Sequence, residues 1–164
     1  MMKKIKNTLE QLVGLELTRT TRAGATECIK FGILYGVVDR SGIERQIGKF
    51  GIHLQCPWRI TQGDILLVGS DDVVEQPDET AEYDEFFDWD VQMGNLRDVR
   101  MANFLNSGKY IVESVDSDDF GGFELSVSVA QLHLHKPYPI INFFNLNTLL
   151  PEPTNKFKKQ QNLT

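Results

Sequence analysis

At 164 residues the chain can bury a core of its own without disulfide or metal staples, and 41% apolar with 24% charged residues is an ordinary globular composition. The net charge of −6 is unevenly spread: residues 1–60 carry ten Lys or Arg against five acids, residues 61–100 carry twelve acids against two Arg, and Asp71 to Asp90 hold ten acids and no base. That block repels polyanions and argues against nucleic acid as a partner, and no apolar run approaches the roughly 20 residues that cross a bilayer.

The N-terminus, Met1-Met2-Lys3-Lys4-Ile5-Lys6, begins like a signal peptide, but Asn7, Glu10 and Gln11 interrupt the apolar stretch that export requires. A cytoplasmic protein is expected, and in that setting Cys28 and Cys56 are expected as two thiols rather than a bridge. Ile5, Leu9, Leu12 and Val13 fall at helical spacing, which predicts a short helix over Lys3 to Leu12. The alternation of Val13, Leu15 and Leu17 predicts a strand, and Cys28 to Leu34 a second one with Ile29, Phe31 and Ile33 on one face. Gly36 and Asp39-Arg40-Ser41-Gly42 mark a reversal, after which one long strand is expected to reach Cys56, with Gly48 and Gly51 at a bulge or a close backbone approach. Trp58 and Arg59 are expected to close that strand, Trp58 over the core and Arg59 paired with Asp64 or Asp71. A tight turn at Gln62-Gly63-Asp64 then leads into Ile65 to Val68.

From Pro77 to Gly94 carboxylates and rings interleave, which fits either a long loop docked by its aromatics or a short helix. Asn95 is the expected N-cap of a helix through Asn106, with Leu96, Val99, Met101 and Phe104 inward. Tyr110 to Val115 and Phe123 to Val129 read as strands around an Asp- and Gly-rich turn, whose Asp116, Asp118 and Asp119 lack the rest of a calcium loop. A change of parity at Ala130-Gln131 predicts a tight hairpin, with Leu132 to His135 returning antiparallel. The whole predicts an α+β domain over residues 1–150, mainly antiparallel β-sheet with one or two helices packed on it, and a flexible tail over 151–164.

Chemistry is sparse. The segment His53-Leu54-Gln55-Cys56-Pro57-Trp58-Arg59-Ile60 mixes unusual side chains, yet residues three apart on a strand project to opposite faces, so His53 cannot serve Cys56. His133 and His135 share a strand face and would bind metal only with a further ligand from elsewhere. No P-loop, dinucleotide fingerprint, nucleophile elbow, C-x-x-C or H-E-x-x-H is present. Neither metal nor cofactor is expected.

The stretch His53 to Ile60, the stretch Ile65 to Asp71 with Val68-Gly69-Ser70, and Val112 to Val115 with the Gly121-Gly122 turn together resemble a group of small bacterial proteins with no assigned activity. Its motif reads H-x-Q-C-x-W-R-I followed by G-S-x-D, and the resemblance covers roughly residues 10–135. It implies the same fold class and carries over no catalytic residue, leaving His53, Gln55, Cys56, Trp58 and Arg59 as a motif without a role.

For function, the acidic and aromatic block is the expected contact surface of a non-catalytic, immunity-like binding protein. Tyr83, Asp84, Glu85, Phe86, Phe87, Asp88, Trp89 and Asp90 would meet a basic protein partner. The alternative is a small hydrolase or metal-dependent enzyme that uses His133 and His135, or Cys56.

Overall fold

The computed structural model of the protein describes residues 2–129, 139–143 and 149–151, with side chains from 6 to 128. Helix α1 (Met2–Leu9) runs into a turn of 3-10 helix at Glu10–Leu12, and the three-residue spacing of Leu9 and Leu12 puts both fully into the core. Strands β1 (Glu16–Ala23) and β2 (Thr26–Phe31) form a hairpin closed by Gly24-Ala25, with Gly24 at φ 57° as a two-residue turn requires. Then come β3 (Tyr35–Val38), β4 (Glu44–Ile47), β5 (Phe50–Leu54), β6 (Trp58–Gln62) and β7 (Ile65–Gly69). After a long loop, α2 (Leu96–Asn106) precedes β8 (Tyr110–Ser117), β9 (Phe123–Val129), β10 (Pro139–Phe143) and β11 (Leu149–Pro151).

Every described strand pairing is antiparallel. The molecule is thus the expected α+β domain, mostly antiparallel sheet with two helices packed on it. Among the described residues nine strands lie in the order β11-β5-β2-β1-β8-β9-β10-β6-β7, and β3 and β4 pair separately.

That order forces a shape. β5 and β6 stand six strand steps apart, about 29 Å in a flat sheet, yet only residues 55–57 join them. Four Cα steps from Leu54 to Trp58 reach at most about 14 Å. The sheet therefore curls until its two ends approach each other at Gln55-Cys56-Pro57. Buried side chains of β1, β2 and β5 to β9 accordingly meet Leu9, Leu12, Met101 and Phe104 in a single cluster. Helix α2 packs on β7 and also reaches the β1–β2 hairpin, strands far apart in the order, which the curl brings within one helix length.

Several local expectations need correction. The second strand stops at Phe31 because Gly32 turns to φ 81°, and this throws Ile33 out to 85% exposure instead of joining Ile29 and Phe31. The long strand expected to reach Cys56 is two strands in two sheets. The chain breaks at Gly48, where an added Cβ would lie 2.9 Å from the Phe31 carbonyl, so the expected close backbone approach is real. Trp58 and Arg59 open β6 rather than close the preceding strand. Trp58 is buried as expected, but Arg59 is exposed and pairs with neither Asp64 nor Asp71. The predicted Leu132 to His135 strand, with His133 and His135, lies outside the described residues, and the strand beside β9 is β10. Pro151 ends β11, while residues 152–164 of the expected tail lie outside the described residues.

Candidate functional site

From Pro77 to Gly94 the acidic and aromatic block is a loop with no helix in it, entered through a turn of 3-10 helix at Ser70–Val74, and arginines hold both of its ends. At the first end Arg100 of α2 donates to Asp72 Oδ1 at 3.0 Å and to Glu79 Oε1 at 2.7 Å. Asp72 in turn accepts the Gly69 N–H at 2.8 Å, which ties the loop to the end of β7. Gln76 pins the next stretch: its Nε2 donates to the carbonyls of Asp78 and Ala81, and its Oε1 accepts the Asp84 N–H. Three aspartates fold the backbone onto themselves. Asp78 accepts the Thr80 N–H at 2.9 Å, Asp84 the Phe86 N–H at 2.9 Å and Asp88 the Asp90 N–H at 3.0 Å. The hydroxyl and N–H of Thr80 hold the Asp78 carboxyl below the usual carboxylate range.

The second end is fixed by Arg22 of β1. Its Nη2 donates to the carbonyls of Trp89 and Val91 at 2.8 and 2.9 Å, its Nη1 to Asp90 at 3.2 Å, and its Nε to Asp98 at 3.0 Å. Asn95 Nδ2 adds a bond to the Trp89 carbonyl at 2.7 Å, while Asn95 Oδ1 caps α2 through the Asp98 N–H, the cap its position predicts. Asp98 Oδ2 also accepts the Met93 N–H at 3.0 Å and holds Met93 at φ 61°, a conformation that non-glycine residues rarely adopt. Burial pushes the Asp98 carboxyl up, but bonds from Arg22, Met93 and Arg97 outweigh it, so the group stays below the usual range.

Behind these groups the chain of charges goes into the protein. Arg97 donates to Asp98 at 3.0 Å and grips both oxygens of Glu27 on β2, with Nε at 2.7 Å from Oε2 and Nη2 on Oε1. Glu27 is buried, and that desolvation raises it to about 7 against the pull of Arg97. Glu27, Arg97, Asp98, Arg22 and Asp90 thus form one line from the sheet interior to the loop, and among the described residues no buried side-chain polar atom lacks a partner.

A backbone held at so many points leaves its rings free to face outward. Phe86 is 85% exposed, Tyr83 66% and Trp89 38%, whereas Phe87 is half-buried with its ring edge-on to Tyr83 at 6.3 Å. Phe86 and Tyr83 therefore do not dock the loop. Polar groups do that. Of the ten acids from Asp71 to Asp90, Asp72, Glu79 and Asp90 are paired with arginines, and the other seven form no ion pair among the described residues. Beside Tyr83 lies a groove of about 480 Å³, walled by Asp72, Glu75, Glu79 and Leu96 and bounded by Arg100.

Comparison with family models, curated proteins and solved structures finds no match. Function therefore rests on the geometry. The site residues expected from sequence fall into two groups. Tyr83 to Asp90 form the loop just described. His53, Gln55, Cys56, Trp58 and Arg59 instead surround the bend where the sheet closes: Trp58 is buried, Cys56 half-buried against the core, and His53, Gln55 and Arg59 exposed. His53 is outside and Cys56 inside, but β5 ends at Leu54, so the bend and not strand alternation divides them. Neither cysteine is in a disulfide.

Sequence reasoning missed the arginine and carboxylate chain, and two signals pointed to it. Arg97 and Arg100 are the two bases within residues 61–100: Arg100 anchors the loop, and Arg97 joins Glu27 to Asp98. Glu27 falls in phase with the buried Ile29 and Phe31, a place where an acid needs a cationic partner.

Proposed function

We propose that the chain is a non-catalytic protein-binding domain, of the immunity type, that engages a basic protein through the loop of residues 75–95. One observation carries this reading: Phe86 and Tyr83 stand exposed on a backbone that Arg100, Gln76 and Arg22 hold at both ends and in between. An exposed ring on a fixed loop is an anchor whose ordering cost has already been met in the free protein, so more of its burial shows as affinity. The seven unpaired acids around it draw a cationic partner in and speed association. The groove beside Tyr83 has the size to take a lysine or arginine side chain, with Glu75 as its unpaired wall acid, since Arg100 already pairs Asp72 and Glu79.

The reading supports a split between the two kinds of residue. With a cognate basic protein as ligand, Phe86→Ala should weaken binding by about 2 kcal/mol, roughly thirtyfold, mainly through faster dissociation. Replacing Asp84, Glu85 and Asp88 with Asn, Gln and Asn should slow association and flatten its salt dependence while dissociation changes little. Surface plasmon resonance at two salt concentrations reads both. Affinity unchanged by both sets of substitutions would remove the loop from the interface.

A further inference from the structure

The outer face of the sheet brings together a thiol and an imidazole that sequence spacing keeps far apart. Cys28 of β2 is the register partner of His53 of β5 on one side and of Thr21 of β1 on the other. Directly opposed residues of antiparallel strands point to the same face with Cβ atoms about 4.5–5.5 Å apart. Alternation says which face this is. Glu27, Ile29 and Phe31 on β2 and Ile52 and Leu54 on β5 are buried, so Cys28 and His53 lie on the opposite side, half-buried and exposed respectively.

The same face is cationic around the thiol. Lys30 follows Cys28 by two positions, and Arg19 is the register partner of Lys30. The Lys30 ammonium rests 3.3 Å from the Gln46 carbonyl, a neutral partner that leaves its charge in place, and Arg19 forms no ion pair among the described residues. Along Arg19 to Ala23, Thr26 to Lys30 and Gly51 to His53, no outward position carries a carboxylate. Partly exposed cysteines among cations are the ones that react, because positive neighbours favour the thiolate that attacks.

We propose that Cys28 and His53 form a nucleophilic thiol site on this face, suited to anionic electrophiles and in particular to small disulfides bearing carboxylates. In the reaction the His53 imidazole takes the thiol proton and Cys28 Sγ attacks one sulfur of the small disulfide. A new S–S bond forms as the old one breaks, and the departing thiolate takes the proton from His53. The chain ends as a mixed disulfide, with one small thiol released. Arg19 and Lys30 hold the carboxylates of the incoming molecule. This site is independent of the acidic loop and of the binding role proposed for it.

The test uses the full chain, with iodoacetate and iodoacetamide as probes and oxidised glutathione as the disulfide, each cysteine being followed by peptide mass spectrometry. Cys56, half-buried against the core, is the internal standard for both reactivity and folding. Cys28 should be labelled about tenfold faster than Cys56 and should take the glutathione adduct first. His53→Gln should remove that advantage while Cys56 labelling stays constant, and Arg19→Gln with Lys30→Gln should slow iodoacetate more than iodoacetamide. Cys28 reacting no faster than Cys56, or equally fast without His53, overturns the proposal.

Discussion

Glu27 shows how one side chain can tie the sheet to the loop. Its carboxylate is buried and held by Nε and Nη2 of Arg97, whose Nη1 reaches Asp98. Removing one member of a buried pair strands the other, so Glu27→Ala should cost about 3 kcal/mol, the low end of the usual range because Arg97 keeps Asp98. Glu27→Leu combined with Arg97→Met replaces the pair with apolar contact and should recover most of that loss, as urea titrations would show. The pair also sets a pH dependence. Burial raises Glu27 from 4.5 to about 7 in the folded protein, so the folded state binds the proton more tightly between those values. Its contribution to stability is complete below pH 4.5 and is lost as pH rises through 7. Asp98, held low, has the opposite sign and loses its contribution only in acid. Unfolding free energy should therefore fall between pH 4.5 and 7 in the wild type, and Glu27→Gln should abolish that slope; a slope that survives in the variant would assign it elsewhere.

At the scale of elements, α2 and the loop before it are one unit. Asn95 caps the helix with its oxygen and tethers Trp89 with its amide nitrogen, so both ends of one side chain serve the joint. Asn95→Ala should cost about 1 kcal/mol for the cap alone. Asn95→Asp keeps the cap acceptor but sets a buried carboxylate oxygen against the Trp89 carbonyl, so it should destabilise as well and quicken exchange of amides near Trp89. Exchange near Trp89 as slow as in the wild type would mean that the tether holds nothing. Much of this was legible in the sequence. The cap at Asn95, the inward Leu96, Met101 and Phe104, the turn at Asp118 and the β6–β7 hairpin all follow from local spacing. Local pattern failed where a backbone event intervened, as at Gly32 and Gly48, which cut strands that the apolar alternation would have continued. It also failed at the loop, where rings among carboxylates suggested docking by aromatics, because hydrogen bonds from Gln76, Arg22 and Arg100 leave no trace in hydrophobic periodicity.

For the whole molecule the decisive fact is the curl, and no single segment announces it. The bend at Gln55-Cys56-Pro57 requires β6 to stand far across the sheet from β5, and that depends on β10, some eighty residues later in the chain, entering between β9 and β6. The motif from His53 to Ile60 so acquires a structural meaning: Leu54 and Trp58 keep the inner face continuous through the corner, while Gln55 and Pro57 turn outward. The pairing of β2 with β5 sets Cys28 beside His53, and the seating of α2 sets Arg22 beside Asp98. The result is a molecule with ten of its 23 acids between Asp71 and Asp90, on and beside an arginine-braced loop, and a cationic face on β1, β2 and β5. The measurement that most directly tests the central claim is backbone ¹⁵N relaxation across residues 76–95 of the free protein. A braced loop predicts order parameters near the rigid-backbone value of about 0.85, falling below about 0.6 at residues 89–93 in Arg22→Gln. Values already below about 0.6 throughout the wild-type loop would contradict it.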